Sequence, residues 1–190
     1  MSFCGFRIVS LNKNGGGINL CCCRICTCVN FSFLWSRIGL LKVIEIGLAS
    51  MCETLLIQYG LPYSENIGQA LISFLTTTAC CFTTTTILTI CYLLSEKSVN
   101  LIRQSLFETL FNGFAAFLYA SASSYMGFAC LVWLHPQFLI RPGFWAYPAM
   151  TAVYYLGYAA MIAHAVDAWL ALKQYRGQGG GQGQFGRNIY

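Results

Sequence analysis

The chain has 190 residues, 57% of them hydrophobic and 9% charged, with a formal charge of +5 and a mean hydropathy of +0.60. A soluble domain carries about 25% charged residues to solvate its surface, so this composition excludes an ordinary water-soluble globule and points to an integral membrane protein. The positive charge is spread along the chain, which suits anionic lipid headgroups and argues against nucleic-acid binding, since that wants a concentrated basic face.

Residues 1–36 read as an N-terminal tail. A glycine run at 15–17 is followed by a moderately apolar stretch, "INLCCCRICTCVNFSFLW", which fits a segment lying along the headgroups. Within it Cys21, Cys22, Cys23, Cys26 and Cys28 cluster in eight residues. No compact apolar core with a cleavage site precedes the first span, so no secretory signal is expected.

Four apolar runs follow, at 38–59, 67–94, 106–134 and 144–172. Each reaches the length of about 20 residues that a spanning helix needs. Helices satisfy their own peptide groups in lipid, and the alternating segments of a lipid-facing barrel are absent. The fold class expected is therefore all-α, a four-helix transmembrane bundle over residues 37–174. The second run is threonine-rich ("TTTACCFTTTT"), and such hydroxyls can bond back to their own helix and bend it. In the third, Asn112, Ala116, Ala120 and Ser124 recur every four residues, a small-residue stripe that lets a neighbouring backbone approach. Packing within one bundle is the first reading of that stripe, and lateral assembly between chains the second.

The connections "GLPYSEN" (60–66) and "HPQFLIRPG" (135–143) are too short to fold alone, and Trp133, Trp145 and Tyr147 flank the latter as an interfacial aromatic belt. Residues 175–190 are Gly/Gln-rich and are expected to be a disordered tail. Of the 11 basic residues, Arg7, Lys13, Arg24, Arg37, Lys42, Lys97, Arg103, Lys173, Arg176 and Arg187 fall on one side and Arg141 alone on the other. The positive-inside rule then places both termini in the cytosol, and leaves the sequon at Asn30 ("NFS") unused.

Charged and polar residues inside spans are costly and call for partners. Lys42, Glu45, Glu108, Asn112, His164 and Asp167 all lie towards the cytosolic boundary, where they can meet as a polar layer tying helices together. Lys42 and Glu45 are three apart and can pair on one helix face; His164 and Asp167 share that spacing. The alternative is a proton or ion path, extended outward by Glu53, about 12 Å deeper than Glu45 at 1.5 Å per residue. Glu53 could also bond a threonine of the second run.

Three stretches, "FLWSRIGLLKVIEIGL" (33–48), "FETLFNGFAAFLYASAS" (107–123) and "AHAVDAWLALKQYR" (163–176), together resemble the MARVEL-domain family of four-span membrane proteins. The resemblance implies membrane traffic and apposition: sorting into cholesterol-rich domains, vesicle biogenesis, junction assembly or membrane fusion, at the plasma membrane or intracellular vesicles. It also implies homo- or hetero-oligomers with other four-span proteins, and no catalytic residue. The short outer connections fit a short insect-type member better than junctional members with larger loops.

Enzyme chemistry finds no support. His135 and His164 lie on opposite sides, no Gly-rich phosphate loop follows a strand, and no HExxH occurs. No cofactor is expected. Topology narrows the cysteine cluster. A reducing cytosol disfavours disulfides, and adjacent cysteines bridge poorly. Cys23 and Cys26 have CxxC spacing, but a closed zinc site needs four ligands and no second pair follows. S-palmitoylation is the leading reading for the five thiols, ahead of small apolar packing and metal binding. Acyl chains would tune sorting, since the spans already anchor the chain. The function expected is a non-enzymatic membrane organiser, with an oligomeric small channel or transporter subunit as the alternative.

Overall fold

The computed structural model describes residues 31–185 except 104 and 142. The cysteine cluster and Asn30 lie outside the described residues. Among the described residues every element is helical.

Helix α1 spans Arg37–Leu55. It starts at Ser36, whose extended backbone and side chain form an N-cap: Oγ accepts from the Gly39 amide at 3.0 Å, satisfying one of the free N–H groups of the first turn. The same hydroxyl donates to the Phe33 carbonyl at 2.6 Å. Gly39 lies so close to that carbonyl that a Cβ would overlap it. A 3-10 turn, Phe31–Trp35, is thereby folded back on the bundle. Phe33 is buried against Leu88 and Tyr92, its ring edge-on to Tyr92 with centroids 5.3 Å apart. The end of the expected tail is thus a docked latch.

α1 continues through a π-helical turn, Leu56–Gly60, and a 3-10 turn, Leu61–Tyr63, into α2 at Ser64–Leu94. After the short α3, Glu96–Arg103, α4 covers Leu106–Ala129 and runs through a second π turn, Cys130–Leu134, into α5, His135–Ile140. Both π turns end two residues before a proline, Pro62 and Pro136. Proline lacks an N–H and clashes with the carbonyl four residues back; widening the preceding turn to i→i+5 bonding relieves that clash and keeps the chain helical.

The expected outer connections are corrected accordingly. Residues 60–66 are almost wholly helical, and the third helix runs to Ile140 rather than 134. The turn that remains, before α6, includes Gly143 at φ 86°, in the left-handed region where a side chain would be strained. Tyr147 of the expected belt is half-buried against His135 and Phe138, while Trp133 and Trp145 stay exposed. Residues 95–105, read as a plain connection, hold α3.

α6 covers Ala146–Phe185, so it enters the segment expected to be disordered from 175. Extending an existing helix costs far less than nucleating one, and Lys173, Gln174 and Arg176 favour continuation.

α1 packs on α2 and α6, and α4 packs on the same two helices, giving a four-membered ring of neighbours. The core between them holds Leu71, Phe74, Tyr119, Met126, Met150 and Val153. The buried face of α4 runs Glu108, Asn112, Ala115, Tyr119, Ala122, Met126 and Ala129, alternating steps of four and three. The stripe predicted at every fourth residue drifts off that face, because each step of four overshoots a turn by about 40°. Ala116 and Ala120 are half-buried and Ser124 is exposed, bonded to the Tyr158 hydroxyl at 2.9 Å. Between the long helices a close approach is made at Gly157 of α6, where a Cβ would collide with Ser123 Oγ and lie 2.6 Å from Phe74 Cζ.

The outside of the bundle is apolar: Phe114, Phe117, Phe128, Leu131 and Ile162 are all exposed. Monomeric soluble proteins rarely show such surface. Two helical stretches, Leu106–Ile140 and Ala146–Gly177, are long and apolar enough to cross a membrane. These are the third and fourth expected spans. Helix α1, the first expected span, carries Arg37, Lys42, Glu45 and Glu53 within its 19 residues.

Candidate functional site

Every buried charged side chain among the described residues gathers at one end of the bundle. Lys42 and Glu45 come from successive turns of α1, Arg103 from the end of α3, Glu108 and Asn112 from the first two turns of α4, and His164 and Asp167 from α6. All seven are buried to 1% exposure or less. They face inward because four long helices converge there and their remaining surfaces are apolar.

Lys42 Nζ is the hub. It lies 2.6 Å from Asp167 Oδ2, 3.1 Å from Glu45 Oε2, 3.4 Å from Glu108 Oε1 and 3.5 Å from Asn112 Oδ1. Arg103 closes the layer from the connection side, its Nη2 2.5 Å from Asp167 Oδ1 and its Nε 3.3 Å from Glu108 Oε2. Asp167 thus holds both cations, one on each carboxylate oxygen, and its Oδ2 also accepts from Asn112 Nδ2 at 2.8 Å.

That last bond fixes the Asn112 amide, since only the Nδ2 end can donate to a carboxylate. Its Oδ1 therefore faces Lys42 and, at 3.0 Å, His164 Nδ1. An amide oxygen only accepts, so Nδ1 of His164 carries a proton. The imidazole is held by its neighbours: Tyr119 stacks on it at 5.6 Å between centroids and Phe111 meets it edge-on at 6.2 Å. Nδ1 also lies 3.4 Å from Glu45 Oε1.

The six residues expected to form the polar layer are all brought together. The Lys42–Glu45 pair forms as expected, whereas His164 bonds Asn112 rather than Asp167. Arg103 was missed, having been counted only as a basic residue of a connection. Its signal is the pattern Val99, Ile102, Arg103 on one face of an amphipathic helix, with Val99 and Ile102 packed near Tyr92.

Glu53 is apart from the cluster. It is half-buried, and no hydrogen bond or ion pair to it occurs among the described residues. The threonines that could have met it, Thr76, Thr77, Thr78 and Thr89, each donate to the carbonyl four residues back at 2.7–2.9 Å. Among the described residues no group of His, Cys, Asp and Glu is arranged to hold a metal ion.

Chemically the layer is a fastener. Removing ions from water costs several kcal/mol each even after relaxation, and only close, multiple contacts offset that. Here each cation has at least two anionic partners, so four helices are bound at a single level.

Residues 33–170 match MARVEL, a membrane-associating domain. The matched stretch opens on the Phe33 latch and takes in all seven residues of the layer. The chain is also 70% identical over 161 residues to Protein singles bar of Drosophila melanogaster, across 85% of this chain and 92% of that protein. No solved structure matches it. With the family's domain covering well over half its length, and a strongly similar relative of nearly the same extent, the chain belongs to the MARVEL family of membrane-associating proteins.

Proposed function

We propose that this protein is a non-enzymatic, four-span membrane organiser with both termini in the cytosol, acting in vesicle traffic, membrane apposition or fusion, or junction assembly. The observation that carries the reading is the inverted distribution of polarity: an apolar exterior around a core whose charge is confined to one sealed layer. In lipid that arrangement makes a passive bundle, which acts laterally through packing, lipid match and association with like proteins. α1 and α2 serve as the other two spans, since Lys42 and Glu45 are buried against partners and the hydroxyls of Thr76, Thr77, Thr78 and Thr89 bond their own helix. The charged layer then sits at the cytosolic boundary, and the sequence supplies anionic-headgroup contacts on that side.

The alternative, an oligomeric channel or transporter subunit using Glu53 and the Thr-rich helix, needs a polar route through the bundle. Among the described residues, the buried polar side chains beyond the sealed layer are threonines and Ser123, without a charge. In liposomes the purified protein should give no ion flux above protein-free vesicles; flux that disappears in Glu53→Gln would replace the organiser with the channel.

Cytosolic acylation of Cys21, Cys22, Cys23, Cys26 and Cys28 belongs to the same proposal. Each buried methylene of an acyl chain adds about 0.8 kcal/mol of membrane affinity, enough to shift partitioning between lipid domains. Acyl-exchange labelling should mark the wild type and be lost when all five become serine. A label that is absent from the wild type, or that persists in the serine variant, rules this out.

A further inference from the structure

The formal charges of the sealed layer do not cancel. Lys42 and Arg103 contribute two positive charges, and Glu45, Glu108 and Asp167 three negative ones, so with a neutral imidazole the sum is 2 − 3 = −1. All six ionisable side chains are buried to 1% exposure or less. An uncompensated charge in such a place is expensive, and buried groups take up or release a proton to avoid it.

The geometry says where the missing proton belongs. Asp167 is spoken for on both oxygens by cations at 2.5 and 2.6 Å. Each Glu108 oxygen faces a cation, Lys42 at 3.4 Å and Arg103 at 3.3 Å. Glu45 differs. Its Oε2 meets Lys42, but its Oε1, which like both Glu108 oxygens is buried without a hydrogen-bond partner, faces neither Lys42 nor Arg103: the ionisable group beside it is His164, 3.4 Å away. The other titratable groups around it are Tyr119 on α4 and Cys81 on α2, while Tyr92 of α2 faces Glu108. All three are neutral, and none supplies a positive charge.

We infer that the layer is a single-proton site: the folded bundle binds one extra proton on the Glu45–His164 pair, at Glu45 Oε1 or, since Nδ1 already carries a proton, at His164 Nε2, and its helix packing is thereby coupled to pH at the layer. The proton comes from solvent and no bond other than O–H or N–H forms. This inference rests on the cluster's geometry and stands whether or not the protein is an organiser.

The sign follows from linkage. The unfolded chain at neutral pH has Glu45 ionised and most of His164 neutral, so it holds one proton fewer than the folded bundle. Stability therefore falls as pH rises, until the folded site itself releases the proton. For full-length protein in mild detergent, the unfolding constant of the wild type should rise with pH around neutrality, by at most roughly tenfold per pH unit, and level off once the folded site has released its proton. Glu45→Gln leaves two positive and two negative charges, needs no extra proton, and should lose that dependence. A wild type with no pH dependence, or a Glu45→Gln variant that keeps the wild-type slope, overturns the inference. Should the variant not fold, the wild type alone still decides: unfolding it in weakly buffered solution at neutrality should release protons, up to one per chain, and release of none contradicts the site.

Discussion

Lys42→Met will unfold or nearly unfold the bundle. The substitution keeps the length of the side chain but removes the cation that lies within 3.5 Å of Glu45, Glu108, Asp167 and Asn112. The layer would go from a formal sum of −1 to −2, with three carboxylates sharing Arg103. Removing one partner of a buried ion pair costs about 3–5 kcal/mol, against a total stability of about 5–15 kcal/mol for a typical domain. Unfolding of the purified protein by denaturing detergent measures this directly. Adding Glu45→Gln restores the wild-type sum of −1, so the double variant should recover part of the loss, with a coupling of about 0.5–3 kcal/mol. Glu53→Ala, which removes a charge outside the layer, serves as the control and should change stability by less than about 0.5 kcal/mol. A Lys42→Met variant as stable as that control would mean the layer does not hold the helices.

The second large effect lies at the other kind of contact, backbone against side chain. Gly157→Ala places a methyl group onto Ser123 Oγ and 2.6 Å from Phe74 Cζ, in a core where both neighbours are fully buried. Overpacking of this kind costs about 1–3 kcal/mol. The same change at Gly113, where a Cβ would meet nothing within 4 Å, should stabilise by about 0.5–1 kcal/mol through helix propensity alone. Opposite signs from one chemical change, read in the same unfolding experiment, would establish that α6 approaches α2 and α4 through Gly157.

The charge layer was legible because its members break long apolar runs. Lys42, Glu45, Glu108, His164 and Asp167 have no polar context in sequence, so partners must come from other helices. Arg103 was not legible that way, because it sits among polar residues in a connection, and only the folding of α3 turns it inward. The small-residue stripe on α4 was placed one step wrong: Asn112 is on the buried face, but a step of four leaves that face by Ser124, and the alternation of four and three identifies Ala115, Ala122 and Ala129. The outer ends were misjudged for another reason. The stretches 60–66 and 135–143 were read as connections, whereas a π turn ahead of Pro62 and of Pro136 lets the helix pass. The first two spans were read from their apolar runs, and the third and fourth are the ones whose helices are long and apolar enough to cross a membrane by length and composition. The charges of α1 count against a span until their burial against α4 and α6 is seen.

The membrane arrangement underlies everything proposed for the protein, and glycosylation mapping tests it most directly. Acceptor sites, spaced from the bilayer by short flexible inserts, would be placed singly after Tyr63, after Ile140, within the 95–105 connection and at each terminus, beside the natural sequon at Asn30. The four-span account predicts glycan addition after Tyr63 and after Ile140 only, with Asn30, the 95–105 connection and both termini unmodified. Glycan on Asn30 or at either terminus, or in the connection that carries Arg103, would contradict it.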